Sequence, residues 1–142
     1  MKIRLLMLGK TRRPEMSAAL ADYVQRIERS CPIEVTEVRD EDAAIKKLEA
    51  HRAATAVLLD AAGKAFDSGA FAKWLGERRD RGTREVIFVC GGADGFPEKL
   101  RERVKEKVSL SAMTYSHELA RVMLAEQIYR AFATLSGSPY PK

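Results

Sequence analysis

Residues that hold metals or form disulfides are scarce in this chain. It has two cysteines, Cys31 and Cys90, and two histidines, His51 and His117. Neither cysteine falls in a metal-ligand spacing, and no cysteine–histidine pair sits in a recognisable catalytic context. Cys90 ends an apolar run, where a free thiol behaves as a small hydrophobe. A reduced, cytoplasmic protein without a metal site is expected. No segment approaches the roughly 20 apolar residues of a membrane span. Met1–Leu8 is too short for a secretory signal, and Gly9-Lys10-Thr11-Arg12-Arg13 stops it. Internal repeats, low-complexity tracts, linkers and a nucleophile elbow are also missing.

What is present suits one globular domain over residues 1–142. The length allows a real core, and 46% hydrophobic with 32% charged residues is an ordinary balance. Twenty-five basic against 20 acidic residues leave a net charge of +5. That favours a polyanionic partner such as RNA, although many basic proteins bind no nucleic acid.

Strand and helix patterns alternate. Ile3–Leu8 reads as a strand, and Pro14 opens a helix with Leu20, Tyr23, Val24 and Ile27 on one stripe. Ile33–Val38 is rich in β-branched residues and reads as a second strand. Asp40 caps a helix carrying Ala44, Ile45 and Leu48. Thr55–Leu59 is a third strand ending in Asp60-Ala61-Ala62-Gly63-Lys64. Asp67 or Ser68 caps a helix with Phe71, Trp74 and Leu75 inward. Val86–Cys90 is a buried fourth strand. A charged helix is expected from Pro97 to Lys107, a very short fifth strand at Val108–Leu110, and a long helix from His117 to Leu135. The fold class is α/β, with a mostly parallel sheet covered on both faces. The tail from Ser136 has two prolines and should leave the last helix in extended form.

In such sheets ligands bind beyond the carboxyl ends of the strands. Leu59-Asp60, Gly91 and Leu110 all lie at such ends. Gly91-Gly92-Ala93-Asp94-Gly95 permits positive φ or close ligand approach, but a plain strand-to-helix turn explains it equally well. It is neither a dinucleotide fingerprint nor a P-loop, since Leu58 occupies the place of the first P-loop glycine before Gly63-Lys64. The loop Ser109–Ser116 sets backbone donors and acceptors beside Leu110, Ala112 and Met113, a mixture that suits a flat purine ring. The plainer reading, which the residues alone favour, is a buried connection with Met113 in the core. His117 and Arg121 share one face of the last helix, and Glu126 and Arg130 another. Its apolar residues spread so widely that two sides should be covered, one by the sheet and one by a partner subunit. Lys10, Arg12 and Arg13 follow a strand and would grip phosphates if they lie on the ligand edge. His51 has no motif around it and is read as structural.

A longer pattern links these pieces. It comprises Lys2-Ile3 to Gly9-Lys10, Leu59-Asp60-x-x-Gly63-Lys64 and Gly91-Gly92-x-x-Gly95. It continues as Ser109-Leu110-Ser111-x-Met113-Thr114-x-x-His117-x-x-x-Arg121-x-x-Leu124-x-Glu126-Gln127-x-Tyr129-Arg130-Ala131 and ends with Pro139-Tyr140. In these residues the chain resembles the ribosomal RNA large subunit methyltransferase H family of SPOUT methyltransferases. The resemblance implies a five-stranded α/β sheet with a C-terminal trefoil knot, an exception to unknotted connections. It implies a homodimer, and S-adenosylmethionine held by Leu59, Gly91, Leu110, Ser111, Ala112, Met113, Thr114 and Tyr115. It also implies methyl transfer to N3 of a pseudouridine in 23S rRNA of the assembled ribosome, with His117, Arg121 and Tyr140 lining the substrate side. Two other functions stay open: a non-catalytic RNA- or ribosome-binding protein of the same fold, and a methyltransferase of another RNA such as tRNA. The chain departs from the family at its end. Members commonly finish Tyr-His-Lys or Tyr-His-Arg, whereas Tyr140 is followed here by Pro141-Lys142.

Overall fold

The computed structural model describes residues 1–140, which form β1 (Lys2–Leu8), α1 (Pro14–Glu28), β2 (Ile33–Val38), α2 (Glu41–Ala50) and β3 (Thr55–Ala65). α3 (Ser68–Asp80), β4 (Glu85–Cys90), α4 (Glu98–Arg103), β5 (Glu106–Ser109) and α5 (His117–Leu135) follow. All pairings in the five-stranded sheet are parallel, in the order β2-β1-β4-β3-β5. The expected sheet is therefore present, and Pro141 and the C-terminal Lys142 lie outside the described residues. No helix among the described residues is long and apolar enough to cross a membrane.

The two-residue period of a strand divides the interior between two faces. Ile3, Leu5, Met7, Val57, Val86, Phe88 and Cys90 pack with residues of α1, α3 and α5. Leu6, Leu8, Leu58, Ile87 and Val89 pack with Ala44 and Leu48 of α2 and with Leu100 of α4. Central strands buried on both faces explain the unbroken apolar runs of β1 and β4. Asp40, Asp67 and Ser116 cap α2, α3 and α5 by accepting the backbone N–H of Ala43, Ala70 and Leu119. At the amino end of the sheet, Arg4 is buried and donates to Glu85, Glu34 and Thr36. His51 Nδ1 lies 3.0 Å from Glu85, so this histidine belongs to a structural network.

Four features differ from those read in the sequence. β3 runs on through Gly63-Lys64 to Ala65, and its ladder with β5 jumps from Leu59 to Lys64. Gly63 makes this possible, since a Cβ there would stand 2.7 Å from the Lys107 carbonyl carbon. α4 stops at Arg103, because Val104 turns extended and buries its side chain. The strand that follows begins at Glu106, within the stretch expected to be helical. The tail, finally, turns at Gly137 (φ +75°) and brings Tyr140 back onto α5, where its hydroxyl donates to Glu126 at 2.9 Å.

Candidate functional site

Three strand ends converge at the carboxyl edge. β3 ends its regular ladder at Leu59, β4 stops at Cys90, and β5 passes into the loop that leads to α5. Between them lies a pocket of about 200 Å³. Its walls include Leu59, Gly91, Leu110, Ser111, Met113, Thr114 and Tyr115, so the structure brings together every residue expected around a cofactor except Ala112. Ala112 belongs to the same loop but does not line the cavity. A larger cavity of about 540 Å³ opens on the other side of Leu110, among Tyr23, Phe66, Phe71, Val122 and Glu126. Volume alone would favour the larger one. The smaller one is where the strand ends and glycine turn meet, which is where parallel sheets bind ligands.

The glycine turn is tight for reasons of contact. Gly95 has φ +77° and its N–H closes on the Gly92 carbonyl at 3.0 Å. A Cβ on Gly92 would come within 3.0 Å of the Leu8 carbonyl oxygen, and one on Gly91 within 3.2 Å of the Gly95 oxygen. The opposite wall is held by its own hydroxyls: Ser109 Oγ donates to the Ser111 carbonyl, and Ser111 Oγ accepts the Met113 N–H. Met113 itself is 71% exposed. The plainer reading of this loop, with Met113 in the core, is therefore corrected. Paired serine–backbone bonds shape the loop, and Leu110, half-buried between the cavities, supplies the apolar anchor.

Polar side chains at the pocket differ in their freedom. Asp60, set by an Asx turn onto the Ala62 N–H, is bound by Arg101 at 2.6 Å. Cys90 is sealed, and burial pushes its thiol up to about 12. His117 lines the pocket and is partly accessible, with Nε2 3.8 Å from Glu118. Arg121 differs from its expectation as a substrate-facing group. It is fully buried, and its guanidinium donates to the Leu8 carbonyl at 2.6 Å, to Thr11 Oγ1 at 3.0 Å and to the Gly91 carbonyl at 3.4 Å. Its pKa is lowered, chiefly by desolvation. Tyr140 is not brought to this pocket. It packs beside Tyr129 and Glu126, and Tyr129 lies about 18 Å along the helix axis from His117.

Glu118 escaped the sequence reading. It is buried at the start of α5, and its two oxygens accept the backbone N–H of Arg12 at 3.1 Å and of Arg13 at 3.0 Å. These bonds, that to Arg13 foremost, lower its pKa. Only its proximity to the helix start signalled it, and a carboxylate in a first helical turn is too common to single out.

Taken with the comparisons, this edge defines a class. The family model described as Predicted SPOUT methyltransferase matches residues 1–141. In fold the chain is similar to the tRNA (m1G37) methyltransferase of Aquifex aeolicus, with a TM-score of 0.63 at 14% identity, over 100% of this chain and 75% of that one. It is also similar to the SpoU methyltransferase AviRb of Streptomyces viridochromogenes, solved in complex with AdoMet. There the TM-score is 0.50 at 12% identity, over 97% of this chain and 58% of that longer one. The class is thus a methyltransferase of the SPOUT type. Within it, the chain belongs to the ribosomal RNA large subunit methyltransferase H family: it is 42% identical to the member from Pelobacter propionicus over 99% of both chains.

Proposed function

We propose that this protein transfers a methyl group from S-adenosylmethionine to N3 of a pseudouridine in 23S rRNA of the assembled ribosome. The observation that carries the reading is the pocket at the glycine turn, in a chain related to the family over its whole length. The residues fit the cofactor. Gly91 and Gly92 leave no room for side chains, Leu59, Phe96 and Leu110 offer apolar faces for a purine, and the loop from Leu110 to Tyr115 offers backbone hydrogen-bonding groups. When bound, S-adenosylmethionine supplies the electrophilic methyl. The chain's task is then to align a base with it and to remove the N3 proton. His117 is the group assigned to that proton. Asp60 is committed to Arg101, and Cys90 holds its own proton to about 12.

A homodimer and a threaded chain complete the reading. Tyr140 can serve a pocket of this kind only from a second copy, because in its own chain it lies at the far end of α5. Leu119, Val122 and Met123 leave the first turns of α5 partly uncovered, and a single-chain mass of 15.9 kDa in sedimentation would contradict the dimer. The trefoil crossing follows from membership of the SPOUT methyltransferase family.

His117→Ala tests the chemical assignment. The variant should still bind S-adenosylmethionine in calorimetry, and lose methyl transfer by a factor of ~10²–10⁴, far more than any loss of cofactor affinity. Unchanged turnover would take His117 out of the mechanism.

A further inference from the structure

We infer that the loop between β1 and α1 is a preformed grip for RNA phosphates, in which Lys10 and Arg12 touch the RNA and Glu118 is the positioning residue. The inference rests on the RNA-methyltransferase reading above and adds to it a second contact, beside the pocket.

The loop lies on the ligand edge. It leaves β1 at Leu8, whose carbonyl receives Arg121 and is the nearest atom to a Cβ built on Gly92. Its backbone is fixed at four points. Gly9 N–H donates to the Val38 carbonyl at 2.8 Å, and Thr11 N–H to Glu37 at 2.8 Å. The N–H groups of Arg12 and Arg13 both donate to Glu118. So firm an anchorage for an exposed loop calls for a reason, since loops of this length are normally the mobile part of such a sheet. The side chains supply it. Lys10 and Arg12 are exposed, and among the described residues neither forms an ion pair. Arg13 is partly neutralised by Glu15 at 2.8 Å, which leaves two free cations. Two cations on a rigid backbone, next to a pocket that must receive one nucleotide, match the spaced charges of the strand that carries it. Backbone phosphate contacts of this kind set register without reading sequence.

Glu118 has an effect opposite to that of its charge. A carboxylate near a phosphate site weakens anion binding by repulsion. As the anchor of the loop it strengthens binding, by holding Lys10 and Arg12 in place. The two roles predict opposite signs for Glu118→Gln, which removes the charge and keeps the size.

The test measures affinity of the full-length protein for ribosomes lacking the modification, over a range of potassium chloride concentrations, for four forms: parent, Glu118→Gln, Lys10→Ala/Arg12→Ala, and all three changes together. Thermal melting checks that each is folded, and the exposed pair cannot threaten the core. Lys10→Ala/Arg12→Ala should flatten the slope of log affinity against log salt by about 1.5, the share of two phosphate contacts. Glu118→Gln should weaken the parent about three- to tenfold, and should cost less than about twofold once Lys10 and Arg12 are gone. S-adenosylmethionine affinity should stay constant throughout. Tighter or equal ribosome binding by Glu118→Gln overturns the positioning role, and an unchanged salt slope in Lys10→Ala/Arg12→Ala overturns the grip, in each case with the functional reading intact. A parent that fails to bind ribosomes even at low salt overturns that reading and this inference together.

Discussion

Replacing Arg121 by alanine would strip the Leu8 and Gly91 carbonyls of a shared donor and leave a void in the core. Loss of charged hydrogen bonds in a buried place costs about 2–4 kcal/mol. Urea unfolding should therefore show a marked drop in stability, and S-adenosylmethionine affinity should fall with it, since Gly91 forms the pocket wall. An Arg121→Ala protein as stable as the parent, with unchanged cofactor binding, would show that the buried guanidinium positions nothing. Cys90 makes a prediction of a different kind. Its thiol ionises near 9 in an unfolded chain and at about 12 in the fold. A group raised by folding stabilises fully below the unfolded value and loses that contribution as pH climbs toward the folded one. Stability should thus decline between pH 9 and 12, by about 1.4 kcal/mol per pH unit from this group. Cys90→Ala should decline less steeply in urea titrations over the same range, and equal slopes would contradict the assignment. At this scale the sequence was legible for residue type but not for direction. His117 and Arg121 do share a face four residues apart, yet nothing local reveals that Arg121 turns inward, because its three acceptors lie 30 to 113 positions away.

Among the elements, β3 and β5 depend most on one atom that is missing. Their pairing past the register jump requires Gly63 to sit against the Lys107–Val108 backbone. Gly63→Ala forces a Cβ into backbone that has no flexible end to move aside. We expect it to push β5 and the loop after it away from β3, lowering stability by about 1–3 kcal/mol and S-adenosylmethionine affinity by an order of magnitude. A variant with parental melting temperature and affinity would mean that the two strands are not locked here. Helices and strands with their own signals were readable in advance. Proline at the start of α1 and the capping Asp40 and Asp67 mark their helices, and apolar runs mark β1 and β4. The misplaced boundaries are those that tertiary contact decides. Lys105, Glu106 and Lys107 look helical by charge pattern, but β3 offers Glu106–Ser109 a parallel partner, and buried Val104 ends α4 early. β3 likewise outruns its apolar residues because β5 pairs with its polar end.

For the molecule as a whole, the edge that binds is set by topology. Parallel strands put Leu59, Cys90 and Ser109 at one end, and the two loops from Gly91 and Leu110 meet there although roughly 20 residues separate them in sequence. The pattern of the chain already pointed to this edge, while the depth of the pocket, the inward Arg121 and the Glu118 anchor needed the fold. The remote position of Tyr140 likewise emerges only when α5 and the tail are seen together, and under the proposed function it calls for a second copy. Recognition by so small a protein should then depend on the shape of a large RNA target and on both copies. The most direct test is methyl transfer itself. Purified protein and S-adenosylmethionine are incubated with intact ribosomes lacking the modification, and the rRNA is digested to nucleosides for mass spectrometry. The account predicts 3-methylpseudouridine from 23S rRNA of assembled ribosomes and none from free RNA oligonucleotides. No methylated nucleoside, with an active family member alongside, would contradict it and favour a binding protein of the same fold. Methylation of tRNA instead would keep the chemistry and overturn the substrate.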